Sequence, residues 1–303
     1  MEVKSILAFD LDGTLTKRNT YIILPAGLTA ILNALNEKGH VSVLVTGKPA
    51  TYASRVIETN NLIDRGVIAE NAGVYRKPGS NTISIYEEST VSAILALRKF
   101  LGIGEPGGGV RTITLKGKQH QMPVDPEDIS ILTFFTDPAP ISHRWKFNQS
   151  ISTDQMYSEL RQEIIKNNWS DDLEILPPFP DGGIQIIRKS RTTGKIIDKS
   201  LLPEVAALLY DVQSLPPTAM FGDGHNDIPA MTPESITPLT FSNAHPEVIK
   251  FVQHKGGFVS RFEAPEGLGV VEGLYWLANR NFFQSDAGFV KELLLKSFND
   301  ILR

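Results

Sequence analysis

Residues 5 to 69 alternate strand, helix, strand, helix, strand, and that order restricts the fold more than any other feature of the chain. Residues 5–10 (SILAFD) are an apolar run of strand length that ends in a carboxylate. Residues 26–38 (AGLTAILNALNEK) carry apolar side chains at helical spacing, with Pro25 in front and Gly39 as a stop signal. Residues 41–46 (VSVLVT) form a second, β-branched strand, residues 50–60 a second helix and residues 66–69 (GVIA) a short third strand. Strands separated by helices cannot be joined as hairpins, so the segment predicts parallel βαβ units and an α/β core.

The pattern changes near residue 82. Residues 82–87 (TISIYE) alternate as a half-exposed strand does, and a helix follows at about 90–101. Further strands are predicted at 110–116, 129–135 and 183–188, and an amphipathic helix at 153–168. Several strands with few helices predict an α+β domain with a partly antiparallel sheet. The α/β pattern returns near residue 195, with a helix at 199–210, strands at 218–223, 236–241 and 257–260, and helices at 268–279 and 287–302. The expected plan is a doubly wound, mostly parallel core made of 1–83 and 191–303, interrupted by an inserted domain at 84–190.

Composition excludes several classes of function. A net charge of −4 gives no electrostatic footprint for nucleic acid, and no cysteine means no disulfide framework and no thiolate metal site. No stretch reaches the roughly 18 apolar residues of a membrane helix. Asp10 and Asp12 interrupt the apolar run from Ile6 to Phe9, so the start does not read as a signal peptide. A cytoplasmic monomer or homodimer is the expectation.

The chemistry lies where core strands end. Strand 5–10 ends at Asp10, with Asp12 two residues on; strand 41–46 ends at Thr46, followed by Gly47; strand 218–223 ends at Asp223, followed by Gly224, Asn226 and Asp227. In open parallel sheets ligands bind beyond the carboxyl ends of the strands, so these residues are predicted to converge. Four carboxylates, Asp10, Asp12, Asp223 and Asp227, cannot sit together ionised without compensation, and a hard divalent cation such as Mg2+ supplies it. Aspartate is a nucleophile for phosphoryl groups, and a second carboxylate can move protons. Thr46 and a lysine suit the non-bridging phosphate oxygens, and Gly13, Gly47 and Gly224 let backbone amides approach a phosphate.

The strings DLDGTLT at 10–16, VLVTG at 43–47 and GDGHNDIPAM at 222–231 resemble the first, second and fourth motifs of the haloacid dehalogenase superfamily. Lys195 and Lys199 are both candidates for the third-motif lysine; DKSLLPEVAALL resembles the helix start of Cof-type phosphatases and favours Lys199. SNAHPEVIKFV at 242–252 is similar to the stretch that follows the fourth motif in that group, and AENAGVY at 69–75 resembles the AENG segment of mannosyl-3-phosphoglycerate phosphatases, sucrose phosphatases and phosphomannomutases. Here Ala72 stands where the family has glycine, and Lys48 where many members have arginine. The resemblance implies a Rossmann-like core with a C2-type cap. It further implies a magnesium-dependent phosphatase acting on a small phosphorylated metabolite, a sugar phosphate or polyol phosphate. It assigns Asp10 as nucleophile and Asp12 as general acid and base. Thr46, Gly47, Lys199 and Asn226 then hold phosphate, Lys48 and Asn71 hold substrate, and Asp10, Asp12, Asp223 and Asp227 hold the metal. A phosphomutase and a non-catalytic binding protein on the same fold are the alternatives. Thr14 reads as loop support, His225 as a variable loop position, and His143, Arg144 and Lys146 as a solvated face. The GEPGGG run at 104–109 lacks the lysine and Ser/Thr pair of a phosphate loop and reads as a flexible loop.

Overall fold

The computed structural model describes residues 2–18, 20–63, 65–88, 91–103, 110–123, 127–135, 152–178 and 182–302. The run at 104–109 and the residues His143, Arg144 and Lys146 lie outside the described residues.

The chain divides into two compact units, residues 1–84 with 198–303, and residues 85–197. The first unit is built on an eight-stranded sheet ordered β13-β12-β11-β1-β2-β3-β4-β5. Its strands are β1 (Ser5–Phe9), β2 (His40–Val45), β3 (Gly66–Ala69), β4 (Val74–Arg76), β5 (Ser84–Ile85), β11 (Thr218–Phe221), β12 (Ile236–Thr240) and β13 (Phe258–Val259). Pairing is parallel from β13 through β3, while β4 runs antiparallel to β3. Helices α1 (Leu28–Glu37) and α2 (Ala50–Thr59) make the crossovers between β1, β2 and β3, as the sequence predicts. Every residue of β1, β2 and β3 is buried, which explains why they read as continuous apolar runs rather than alternating ones.

β1 lies between β2 and β11 in the sheet, with register pairs such as Phe9 to Leu44 on one side and Phe9 to Phe221 on the other. The chain leaves β1 toward one edge and returns to its other side only after the second unit. The strand order therefore reverses at β1, where a doubly wound sheet opens a crevice beyond its carboxyl ends. Phe9 and Phe221 stack across this junction with ring centroids 4.8 Å apart.

The second unit, described by itself, holds α3 (Val91–Phe100), the ribbon of β6 (Val110–Leu115) and β7 (Lys118–Pro123), the antiparallel sheet β8-β10-β9, and α4 (Thr153–Lys166). Here β8 is Leu132–Phe135, β9 is Leu173–Ile175 and β10 is Gly183–Arg188. Ile94, Leu97, Ile113, Leu132, Phe134, Met156, Leu160 and Ile186 form its own core.

The observed division falls seven residues after the expected return at 191, because 188–197 folds back on itself: Ile197 N–H donates to Arg188 O at 3.0 Å and Ser190 N–H to Lys195 O at 2.8 Å. The strand expected at 82–87 shrinks to β5, and the helix expected at 199–210 begins as a 3-10 turn, Lys199–Leu201, before α5 (Leu202–Tyr210). Asp198 accepts from Ser200 N–H at 2.9 Å and caps that turn, while Pro203 sits at the start of α5. The remaining helices are α6 (Ile228–Met231), α7 (Pro246–His254), α8 (Gly269–Asn279) and α9 (Ala287–Leu302). Among the described residues no helix is long and apolar enough to cross a membrane.

The sheet is tied to the segment before α9 through a buried histidine. His40 Nδ1 lies 2.9 Å from Ser5 Oγ, its Nε2 lies 3.2 Å from Asp286 Oδ2, and Lys4 Nζ donates to the same Asp286 oxygen at 2.7 Å. Burial pushes the His40 imidazole below its ordinary range, against the opposing pull of Asp286. A base held neutral by the fold makes the unfolded state the better proton acceptor, so this group's contribution to stability declines as pH falls below about 6.5. The difference in melting temperature between pH 7.5 and pH 5.5 is therefore expected to be more positive in the wild type than in His40→Gln. Identical slopes in the two proteins would remove His40 as the cause.

Candidate active site

The turn after β1 is wound around one carbonyl. Thr14, Leu15 and Thr16 all donate backbone N–H groups to Leu11 O, at 3.1, 3.0 and 2.8 Å. Gly13 adopts φ +94°, and a Cβ there would collide with the Asp223 carboxylate, so this position admits only glycine. Thr14 supports the loop as expected, donating from Oγ1 to Asp223 Oδ1 at 3.0 Å. Asp10 follows β1 directly, its N–H continuing the ladder to Phe221 O at 2.9 Å.

Asp223 and Asp227 come from the turn after β11. One oxygen of Asp227 accepts from Asp223 N–H at 3.1 Å and from Gly224 N–H at 2.9 Å, and so closes the turn. A Cβ at Gly222 would come within 2.5 Å of the Asp227 side chain, which explains the glycine that opens the GDGHND string. The other Asp227 oxygen accepts from Lys199 Nζ at 2.7 Å, and Lys199 Nζ also donates to Asp10 Oδ1 at 2.7 Å. Lys199 is therefore the lysine the site uses; Lys195 is exposed and belongs to the other unit.

Asp10, Asp223 and Asp227 each bring an oxygen within 4.8 Å of the other two. Three carboxylates share one ammonium, and the imbalance shows in their proton affinities. Burial, and then Asp227, raise the Asp10 carboxyl well above the usual carboxylate range despite Lys199. Burial, and then Asp227, raise Asp223 to about 6, with Thr14 opposing. Burial alone would push the Lys199 ammonium down, but Asp10 and Asp227 overcome it and hold it above its ordinary range. A site of hard oxygen donors that resists full ionisation on its own has the donor set and charge deficit that a divalent cation satisfies.

The Asp12 carboxylate, expected among the metal ligands, lies outside this group of three side chains. Its Oδ1 accepts from Tyr52 Oη at 3.0 Å, and its Oδ2 lies 3.9 Å from Lys48 Nζ. Lys48, expected on substrate, thus stands beside Asp12. Tyr52, on α2, gave no signal in the sequence: a tyrosine on an amphipathic helix reads as packing.

Thr46, Gly47, Asn71 and Asn226 come together beside the cluster. Thr46 is buried after β2, with its Oγ1 accepting from Lys48 N–H at 3.0 Å. A Cβ at Gly47 would stand 3.1 Å from Asn71 Oδ1 and 3.7 Å from Asn226 Nδ2, so both amides crowd the glycine. Asn71 is held by three consecutive left-handed residues, Glu70, Asn71 and Ala72, with φ of 50, 52 and 68°. Ala72 thus adopts the backbone that suits the family's glycine, at a cost of about 1–2 kcal/mol for a residue with a Cβ. His225 is exposed, with Nε2 3.0 Å from His245 Nε2 and Nδ1 3.1 Å from Glu247 Oε2.

Residues 7–100 match the family model of haloacid dehalogenase-like hydrolases. The matched stretch carries the DLDGTLT and VLVTG strings. Solved structures share its fold. One, from Thermoplasma acidophilum, aligns with a TM-score of 0.55 at 16% identity over 93% of this chain and 99% of that one. The sucrose-phosphatase of Synechocystis sp. PCC6803, solved with sucrose and phosphate, gives 0.54 at 12% identity over 93% and 98%. A phosphatase of the haloalkanoate superfamily from Bacteroides thetaiotaomicron gives 0.52 at 16% identity over 99% and 96%. No curated protein sequence matches the chain.

The buried ion pairs of Lys199 make a direct prediction. Replacing one partner of a buried pair leaves uncompensated charge and costs about 3–5 kcal/mol. Lys199→Met is expected to lose that much stability at pH 7.5 in chelator-treated protein. The loss should be smaller at pH 5, below the value of about 6 to which Asp223 is raised, because protonation there removes part of the stranded negative charge. Urea denaturation at the two pH values checks this, and equal losses would contradict the charge argument.

Proposed function

We propose that the chain is a magnesium-dependent phosphatase that hydrolyses a small phosphorylated metabolite, a sugar phosphate or polyol phosphate, through an aspartyl-phosphate on Asp10. The observation that carries this reading is the separation of the two first-motif carboxylates. Asp10 lies against Lys199 and beside Asp223 and Asp227, while Asp12 is turned to Tyr52 and Lys48. This separation supports giving the attack to one carboxylate and the proton transfer to the other. The sucrose-phosphatase among the similar folds supports a sugar or polyol ester as the substrate class.

Asp10, Asp223 and Asp227 are the residues that would hold the cation, which when bound offsets the negative charge of phosphate and carboxylates. Asp10 attacks phosphorus as the bond to the leaving oxygen breaks, and Asp12 delivers its proton to that oxygen. Asp12, now ionised, takes a proton from water as the water oxygen attacks the aspartyl-phosphate. The Asp10–phosphorus bond then breaks, and phosphate leaves. Lys199 fixes the orientation of the Asp10 carboxylate. Thr46, Gly47 and Asn226, with Lys199, bind the non-bridging oxygens, where transition-state charge is spread. Lys48 and Asn71 lie at the margin of this set and are assigned to substrate.

Asp10→Asn keeps the shape of the side chain and removes the attacking oxygen anion. It is expected to abolish hydrolysis of p-nitrophenyl phosphate while the cooperative thermal transition persists. Substantial magnesium-dependent turnover by this variant would overturn the proposed intermediate.

Metal binding requires the deprotonated carboxylates. Since Asp223 is raised to about 6 without metal, below that pH magnesium must displace a proton from Asp223 that it need not displace above it. The rise in melting temperature on adding magnesium is expected to be larger at pH 7.5 than at pH 5.5, and to be lost in Asp223→Ala. A pH-independent rise would place the cation elsewhere.

A further inference from the structure

Tyr52 makes two contacts from one hydroxyl. Its oxygen lies 3.0 Å from Asp12 Oδ1 and 2.8 Å from Thr20 O. The Tyr52 ring lies 5.0 Å from the Tyr21 ring, centroid to centroid, and the Lys48 ammonium lies 5.8 Å from the centre of the Tyr52 ring. Segment 20–23 is held to α2 by other bonds as well: Asn60 Nδ2 donates to Tyr21 O at 2.6 Å, and Ile23 N–H donates to Asn60 Oδ1 at 2.8 Å. Segment 20–23 is therefore anchored to its neighbours without the bond from Tyr52 to Asp12.

The chemistry of Asp12 gives that bond a role. A carboxylate bound to a divalent cation is deprotonated, so a group that must carry a proton to a leaving oxygen has to stay out of the cation's shell. Asp12 is two residues from Asp10 in the sequence, and its side chain lies outside the cluster of Asp10, Asp223 and Asp227. We infer that Tyr52 is a positioning residue for Asp12: its hydroxyl, with the Lys48 ammonium on the other carboxylate oxygen, holds Asp12 away from the cluster and toward the leaving group. This rests on the assignment of Asp12 as the proton carrier.

Tyr52→Phe removes one oxygen and keeps the ring contact with Tyr21. The test measures kcat/KM, which covers the steps up to aspartyl-phosphate formation, for p-nitrophenyl phosphate and phenyl phosphate. It uses the wild type, Tyr52→Phe, Asp12→Ala and the double variant. Phenolate is the poorer leaving group and needs the proton more. Tyr52→Phe is expected to lose about tenfold on phenyl phosphate and about twofold or less on p-nitrophenyl phosphate. In the Asp12→Ala background it should lose nothing further. The released Asp12 can also reach the cluster, so magnesium is expected to bind Tyr52→Phe more tightly than wild type in a calorimetric titration. Equal losses on both esters, no loss on either, or a loss that persists without Asp12 would each overturn the inference. Asp12→Ala that slows both esters equally would instead remove the assignment on which it rests, and the two failures are read from different variants.

Discussion

The ammonium of Lys199 joins two carboxylates that the chain supplies from opposite ends of the core, Asp10 at 189 residues' distance and Asp227 at 28. Without it, the buried carboxylates of Asp10 and Asp227 would lose their partner ammonium. With it the cluster remains short of balance, as the raised proton affinities of Asp10 and Asp223 show. Much of the surrounding architecture serves this arrangement. The reversal of strand order at β1 sets the ends of β1 and β11 side by side. The glycines at 13 and 222 make way for the carboxylates of Asp223 and Asp227. The 3-10 turn before α5 presents the lysine, with Asp198 capping it.

The same motif sets two aspartates in different surroundings. Asp10 is drawn into the cluster beside Lys199, while Asp12 lies outside it against Tyr52 and Lys48. Nearness in sequence thus conceals a difference in environment, and the proposed division into nucleophile and proton carrier rests on that difference.

Much of the site was legible before the structure because its residues sit at strand ends, where one short string reports both a backbone position and a chemical group. Asp10, Asp223 and Asp227 follow buried strands whose apolar runs are hard to mistake. What the sequence withheld has physical reasons. The side-chain direction of Asp12 depends on Tyr52, forty residues away, whose helical setting looks like ordinary packing. β4 and β9 span three residues each, too few for a period to emerge. β7 (KQHQMP) is a mostly polar strand of a two-stranded ribbon, with no apolar alternation to reveal it. The return of the chain from the second unit lies beyond the residues where the sequence pattern changes, because the fold-back at 188–197 is fastened mainly by backbone bonds, which composition does not record.

The run of left-handed residues at 70–72 has a thermodynamic consequence. A chain segment free to choose would avoid it, since each residue with a Cβ loses about 1–2 kcal/mol there. The surrounding fold imposes it instead, through bonds such as Glu70 N–H to Lys48 O at 3.0 Å and Asn71 N–H to Thr46 O at 3.2 Å. The loss is thus met during folding, and the backbone at Asn71 has no ordering left to do in the folded protein. Any ligand that Asn71 holds would meet a backbone already set, while the protein's own stability margin is correspondingly thinner.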